Sequence, residues 1–484
     1  MYKNHYLYNY ALINKAEQAS YKTKSSFIIM QKAAKACSNY IKENIKDQRI
    51  IVICGPGNNG GDGVLIANNL IKKNYNVDVC YPLGEAKTTD SKKALKLLSK
   101  KHNIIHKVNF KKYNVIIDAI FGSGLNRNIT KKIILLFKKI NKSKAKIFSI
   151  DMPSGVFTDN GKIHKIAIKA NYTLSIHRFK IGQWLLPGKD YCGQNILLKI
   201  GLKNLDKKCF VKLNFPIKPP KPSLYDHKYS RGCCLIIGGD QFIGASKLAY
   251  FSASQSSLRA GSGVCKFLIK EKNIKYFKSH VLEEMILSYK NLEEFFSLIK
   301  KEKNNSVIYG CGLNNTIENK EILDFLLKQN SSLVLDAGAF SIIEKYKNYF
   351  FKSLYYRSKP TVMTPHLGEF KKLFKISNNK INDSLLASKE TNSIIVFKGD
   401  DTVISSPNGK VFINSKSSPF LATAGSGDVL AGLIGGFLSQ KIDSLEAIKL
   451  ACYIHSQCAI NLDHNLIARD IINEVPHVIK KMMK

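Results

Sequence analysis

Short runs of β-branched and other apolar residues alternate along this chain with longer stretches in which apolar side chains recur every three or four positions. In the first half the runs are Ile50–Cys54 (IIVIC), Val77–Cys80 (VDVC), Val115–Ile117 (VII) and Ile147–Ile150 (IFSI). Helical spacing lies between them, for example over Val64–Lys73 and Ser91–Lys100. In the second half the runs are Cys234–Ile237, Gly263–Ile269, Val307–Tyr309, Ser332–Leu335, Val362–Thr364, Ile394–Phe397 and Thr402–Ser405. Apolar runs separated by helical stretches predict βαβ units around parallel sheets. Between the halves, Phe215–Pro222 (FPIKPPKP) carries four prolines in eight residues, which suits neither a helix interior nor a central strand. The pattern predicts two doubly wound α/β domains, over residues 1–214 and 225–484, joined by a Pro-rich linker over 215–224.

Composition narrows the class. A chain of 484 residues suggests about two to four domains. A hydrophobic fraction of 44% excludes a wholly disordered chain. No run of about 18 apolar residues occurs, so no membrane-spanning helix is expected. The N-terminus has no apolar core of a secretory signal. The cysteines number 11, none in a CxxC pair, and Cys54, Cys233, Cys234 and Cys265 lie inside apolar runs. That usage predicts reduced, buried thiols in a cytoplasmic protein.

The formal net charge of +39 raises nucleic acid or an anionic membrane as a partner. Only seven of the 75 basic side chains are arginine, the residue suited to bidentate phosphate and base recognition. The lysines are spread over the whole chain, as solvated faces would be. Neither nucleic acid nor membrane is therefore expected, although anionic small molecules would be attracted.

The first run, IIVIC, leads into Gly55-Pro56-Gly57-Asn58-Asn59-Gly60-Gly61-Asp62-Gly63 and then a helix. Dense glycine lets backbone approach a ligand, and a following helix offers free N–H groups to an anion. The tract satisfies GxGxxG at Gly55, Gly57 and Gly60, which by itself is equally a tight strand-to-helix turn. A dehydrogenase fingerprint wants an acid after the second strand, whereas Asp78 lies inside VDVC. Two further acids follow apolar runs directly: Asp118, leading into Ala119-Ile120-Phe121-Gly122-Ser123-Gly124-Leu125-Asn126-Arg127, and Asp151, leading into Met152-Pro153-Ser154-Gly155. One such Asp alone reads as a helix cap. Three strand ends carrying carboxylates or amides beside glycine predict an oxygen-lined cation site and a pocket for a charged ligand.

GPGNNGGDG, DAIFGSGL and DMPSG…DNG resemble the NAD(P)H-hydrate epimerase domain of bifunctional NAD(P)H-hydrate repair enzymes, over roughly Ala11 to Leu202. The resemblance implies a Rossmann-like fold and a hydrated dinucleotide lined by Asn58, Asn59, Gly60, Gly61, Asp62, Gly122, Ser123, Gly124, Leu125, Asn126, Arg127 and Asn128. It implies a potassium ion held by Asn59, Asp118 and Ser154, with Asp151 as catalytic acid/base. Lys180, in HRFKIG, is either the counterpart of the family's lysine or one more solvated cation.

In the second half, Ala422-Thr423-Ala424-Gly425-Ser426-Gly427-Asp428 precedes the small-residue helix VLAGLIGGFL. Backbone N–H groups at such a helix start form an anion hole for a transferring phosphoryl group, and Asp428 in the first turn can act as base toward a hydroxyl. GxGD before a helix resembles ribokinase-like enzymes. Lys398-Gly399-Asp400-Asp401-Thr402, Met363-Thr364-Pro365-His366-Leu367-Gly368-Glu369, Gly310-Cys311-Gly312-Leu313 and Gly238-Gly239-Asp240…Gly244-Ala245 complete a set that resembles the ADP-dependent NAD(P)H-hydrate dehydratase domain, over roughly Tyr225 to Met482.

That resemblance implies an adenine nucleotide on Lys398, Gly399, Asp400, Asp401, Thr402 and Gly427, with magnesium accompanying ADP. It implies the (6S)-hydrate on Ala245, Gly312, His366 and Asp428, and assembly into a homo-oligomer. Three positions depart from the family pattern: Tyr229 and Ala424 stand where glycines are expected, and Gly338 stands where a second acid is expected. Two other readings remain open from sequence. One is a ribokinase-like small-molecule kinase fused to a Rossmann-type domain. The other is an RNA-binding or scaffolding protein with degenerate enzyme domains.

Overall fold

A computed structural model of the chain describes residues 6–46, 49–98, 103–105, 108–125, 128–239, 243–277 and 285–484. The chain divides into two compact units, Met1–Lys212 and Leu213–Lys484.

The first unit holds a seven-stranded sheet. Its strands are β1 (Ile50–Cys54), β2 (Val77–Cys80), β3 (Asn103–Ile105), β4 (Val115–Ala119), β5 (Lys146–Ile150), β6 (Tyr172–Ile176) and β7 (Gln194–Leu198). They lie in the order β3-β2-β1-β4-β5-β6-β7, and every pairing is parallel. The order reverses between β1 and β4, the switch point where such sheets open a crevice at the carboxyl ends of their strands. β1, β2 and β4 are buried along their whole lengths, as strands covered by helices on both faces must be.

The helices of this unit include α1 (Tyr10–Tyr21), α2 (Ser26–Glu43), α3 (Asn58–Ile71), α4 (Thr89–Lys96) and α5 (Lys131–Asn141). Asn9, Ser25 and Thr88 cap α1, α2 and α4 through side-chain oxygens that accept backbone N–H groups. α3 starts well before Val64, because Asn58 through Gly63 are already helical. A Cβ at Gly60 would sit 1.8 Å from the Gly55 carbonyl oxygen, so glycine here serves the close approach of the helix start to the loop. α4 ends at Lys96, and Ser99 and Lys100 of the expected helix fall outside the described residues. Leu7–Tyr8 pairs in parallel with Phe179–Lys180, so the start of the unit holds the backbone of Lys180, whose side chain is fully buried.

In the second unit the strands are β8 (Cys233–Ile237), β9 (Val264–Lys270), β10 (Met285–Tyr289), β11 (Ser306–Tyr309), β12 (Ser332–Leu335), β13 (Thr361–Met363), β14 (Ile394–Phe397), β15 (Val403–Ser405) and β16 (Val411–Ile413). They run β16-β15-β14-β13-β12-β11-β8-β9-β10, parallel except that β15 is antiparallel to both neighbours. Three helices matter for the site: α6 (Ile243–Ala260), α7 (Leu367–Leu373) and α8 (Ser426–Ser439). α8 is almost wholly buried and packs on α6 through small residues: a Cβ at Gly432 would lie 2.3 Å from the Ala253 carbonyl oxygen. All 11 cysteines are free, and Cys209 alone is not buried. Among the described residues no helix is long and apolar enough to cross a membrane.

Candidate functional site

In the first unit a cleft of about 510 Å³ opens at the switch point. Of the residues singled out from sequence, Asn58, Asn59, Asp62, Gly122, Ser123, Gly124, Leu125 and Asp151 line it. Gly60 and Gly61 are buried in the first turn of α3 behind it, and Asn128 is exposed outside the lining. Asn126 and Arg127 lie outside the described residues.

Asp151 follows β5 with φ of 68°, an unusual backbone for a non-glycine residue and one found at strained functional positions. The turn aims its carboxylate back across the strand ends. One oxygen accepts the Ser123 N–H at 3.1 Å, and the other accepts the Ile176 N–H at 3.3 Å and pairs with the Lys180 ammonium. Lys180 is fully buried and also donates to the Ile176 carbonyl at 2.9 Å, so it is not a solvated cation. Gln183 donates to the Asp151 carbonyl at 3.3 Å and accepts the Lys180 N–H at 2.8 Å, which fixes the pair from behind.

Asp118, at the end of β4, is fully buried. Its oxygens accept hydroxyls of Ser149 at 2.8 Å and Ser154 at 2.6 Å, and the Ser154 N–H at 2.9 Å. Burial pushes its carboxyl up, and these hydrogen bonds oppose the push. Ser154 Oγ also lies 3.2 Å from the Phe121 carbonyl oxygen. The Asn59 amide nitrogen is buried without a hydrogen-bond partner. At an amide, oxygen and nitrogen exchange places by a flip. Asn59, Asp118, Ser154 and the Phe121 carbonyl thus offer one carboxylate and several neutral oxygens, a donor set that fits a weakly bound monovalent cation.

Besides Asp151, three carboxyls line the cleft, those of Glu17, Asp62 and Asp90. Burial and the nearby Asp151 charge push Glu17, on α1, up to about 7. Asp62, on α3, is raised well above the usual carboxylate range by burial, then by Asp151 and Glu17. His177, with φ of 67°, is buried beside Tyr8 and lowered to about 4 by burial, so its imidazole is neutral. Neither Glu17 nor His177 belongs to a glycine motif. Glu17 comes from a helix far from the loop it faces, and no local pattern marks it. Asp78 does not serve a ligand: it is buried and accepts the Tyr113 hydroxyl at 2.7 Å.

In the second unit Asp428 sits in the first turn of α8. Burial, and then the Asp336 charge, push its carboxyl up to about 6, against the effects of the Cys311 thiol and Lys398. Asp336, at the end of β12, accepts the Lys398 ammonium at 2.8 Å and the Thr364 hydroxyl at 2.8 Å. Burial works against the Lys398 ammonium, but Asp336 and Glu369 together hold it above its ordinary value. A Cβ at Gly427 would lie 3.6 Å from Lys398 Nζ and 3.8 Å from Asp336, so the helix start, the lysine and the acid converge.

Other expected contacts have internal work. The His366 ring nitrogen Nδ1 accepts the Gly368 N–H at 2.9 Å, and Glu369 accepts the His366 N–H at 2.9 Å, a reciprocal cap on α7. Asp401 is buried in an ion pair with Lys380. Asp400 and Gly399 are exposed, and Thr402 donates to the Gly399 carbonyl at 2.6 Å, closing that turn. Gly312 packs on the first turn of α6, where Ala245 is exposed, and Asp240 lies outside the described residues. At Gly338 a Cβ would meet the Leu313 carbonyl oxygen at 2.2 Å, so this backbone does not admit the acid of the family pattern. His455, which carries no motif signal, is neutral and donates through Nε2 to the Ser426 carbonyl at 2.9 Å, bracing the start of α8. Among the described residues no group of three or more His, Cys, Asp or Glu side chains could hold a metal ion.

Residues 26–182 match the family model described as YjeF-related protein N-terminus, and residues 233–480 match the model described as NAD(P)H-hydrate dehydratase. The chain is 30% identical to the bifunctional NAD(P)H-hydrate repair enzyme Nnr of Dictyoglomus turgidum, over 94% of each chain. It is 28% identical to the enzyme of the same name from Thermosynechococcus vestitus, over 94% of this chain and 93% of that one. A solved structure of ADP/ATP-dependent NAD(P)H-hydrate dehydratase from Bacillus subtilis, co-crystallised with ATP and Mg2+, is 26% identical, with a TM-score of 0.46 over 54% of this chain and 94% of that one.

Proposed function

Since the chain belongs to the family of bifunctional NAD(P)H-hydrate repair enzymes, we propose that its first unit interconverts the 6R and 6S hydrates of NADH and NADPH through Asp151 and that its second unit dehydrates the 6S form through Asp428 at the expense of ADP, giving AMP and phosphate. The observation that carries the residue assignment is the geometry of two carboxylates, each at a glycine-rich strand end or helix start: Asp151 is paired with the buried Lys180, and Asp428 lies at the helix start where Lys398 and Asp336 converge.

The substrate is a hemiaminal, with a hydroxyl on C6 next to the ring nitrogen. The nitrogen lone pair expels that hydroxyl once it is protonated, and water returning from the other side inverts the centre. In this reading Asp151 gives and takes a proton at the C6 oxygen, and its ion pair with Lys180 holds the carboxylate in place. The cleft limits escape of the cationic intermediate. Asn59, Asp118 and Ser154 would hold a potassium ion, which supplies positive charge toward an anionic dinucleotide.

In the second unit Asp428 takes the proton of the C6 hydroxyl as its oxygen attacks the terminal phosphorus of ADP and AMP departs. Phosphate then leaves with the push of the ring nitrogen, and loss of a C5 proton restores the dihydronicotinamide. Lys398 and the N–H groups at the start of α8 steady the transferring phosphoryl group. Magnesium bound with the nucleotide neutralises phosphate charge, and it needs few protein ligands for that role.

The test is recovery of 340-nm absorbance from NADH hydrate by the purified protein with Mg2+ and, in separate arms, ADP or ATP. Recovery with ADP is expected, and no recovery with either nucleotide overturns the second activity. The R epimer should be consumed by the wild type and persist with Asp151→Ala. Replacing potassium by choline should slow epimer exchange, and an unchanged rate removes potassium from the account. An intracellular setting and self-assembly belong to the same proposal, the latter checked by light scattering.

A further inference from the structure

Inversion at C6 needs two proton events on two sides of one carbon: a hydroxyl leaves from one side and water enters from the other. Asp151 can serve one side. The cleft brings in a second carboxyl from a different wall. Glu17 belongs to α1, which lines the cleft with Tyr10, Ile13, Glu17 and Tyr21; the Tyr10 N–H at its start donates to Asp159 at 2.6 Å, tying the helix to the loop after Asp151. Among the described residues the Glu17 carboxyl has no hydrogen-bond or ion-pair partner, whereas the Asp151 carboxylate is bound by three donors. Resting on the epimerase reading above, we propose that Glu17 is the second acid/base of the first unit, working on the side of the C6 centre away from Asp151.

In one direction the Glu17 carboxyl gives its proton to the departing hydroxyl, which leaves as water. The nitrogen lone pair forms the C=N bond as the C6–O bond breaks. A second water attacks C6 from the other side, its electron pair makes the new C6–O bond, and the Asp151 carboxylate takes its proton. One water is consumed and one released, and one proton moves from Glu17 to Asp151. Turnover in the opposite direction, or exchange with solvent, returns it.

The surroundings support the assignment of resting states. Glu17 feels the charges of Asp151 and Lys180 and acts in turn on Tyr21 of its own helix and Asp62 of α3, while Asp90 and His177 line the same cleft. Burial and the Asp151 charge raise it to about 7, so near neutrality the acid form is populated while remaining able to ionise. Glu17 also lies upstream of residues 26–182, the segment that matches the first family model.

The experiment follows exchange between separated R and S hydrates by chromatography, without nucleotide, in full-length wild type, Glu17→Gln and Glu17→Asp. Nucleotide-driven dehydration of the S hydrate in the same preparations reports folding of the second unit, and the circular dichroism melt reports the first. Glu17→Gln is expected to slow exchange by about a hundredfold or more, to abolish the alkaline limb of the pH–rate profile, and to be partly rescued in Glu17→Asp. Exchange within twofold of wild type overturns the proposal. So does a slowed variant that keeps the wild-type pH profile, since that is the mark of a structural role. Absence of exchange in the wild type itself overturns the epimerase reading, a separate failure.

Discussion

Asp151 takes hydrogen bonds from two backbone N–H groups and an ion pair from a fully buried lysine. Asp428 is left without such a clamp, because Asp336 takes the hydrogen bond of the nearest lysine and adds its own negative charge. The two carboxylates are proposed to act on the same carbon, and the contrast follows from what each must do. A group that passes protons back and forth in an isoenergetic exchange gains from a fixed carboxylate. A base that takes a proton as a phosphoryl group arrives gains from being easily protonated, and so from a raised pKa.

The largest effect that would test this division is on the second site alone. Asp428→Asn should lower nucleotide-dependent dehydration by about a thousandfold, within the range for loss of a general base. Epimer exchange, measured without nucleotide, should stay within twofold of wild type. Loss of both activities would mean the units are not chemically separate.

Lys180→Met should damage the first site through stability as well as rate. It leaves Asp151 largely buried without its cation, and breaking such a pair typically costs about 3–5 kcal/mol. A urea melt of the first unit should move by that amount, and epimer exchange should fall. A change under 1 kcal/mol would mean that water replaces the ammonium, and that the clamp is weaker than its burial suggests.

The sequence made parts of this comparison legible. Interior strands such as β1, β12 and β14 were readable because burial on both faces demands continuous apolar runs. Among the strands it did not reveal, β3, β7 and β10 lie at sheet edges; half-covered β7 reads Gln-Asn-Ile-Leu-Leu. The glycine loops were legible because close backbone approach leaves few residue choices. The pairing of Lys180 was not, since it depends on Leu7–Tyr8 joining Phe179–Lys180 from the other end of the unit. Glu17 was hidden for the same reason. Gly338 was legible as a departure, but only the 2.2 Å approach to the Leu313 carbonyl explains it. Gly338→Asp, which would restore the acid of the family pattern, should therefore cost about 1–3 kcal/mol by overpacking and should not improve the magnesium dependence. A variant of wild-type stability would mean the loop moves freely.

The smallest effect is the most direct reading of Asp428. Its carboxyl is raised from 3.8 to about 6, chiefly by burial and then by Asp336. The reaction needs the carboxylate, so dehydration should rise with pH through about 6 while epimer exchange follows a different profile. The stability sign is opposite. A carboxyl raised on folding contributes stability that is present below its unfolded value and is lost as pH rises through its folded value. Asp428→Asn should therefore stabilise the second unit at pH 8, by at most on the order of 3 kcal/mol, and by less at pH 5. Asp336→Asn removes the neighbouring negative charge and frees Lys398 to face Asp428, and both changes favour ionisation. The acid limb of dehydration should then move down by on the order of one pH unit. A limb that stays in place in Asp336→Asn means that some group other than Asp428 titrates there, and the contrast between a clamped and an unclamped aspartate would lose its second term.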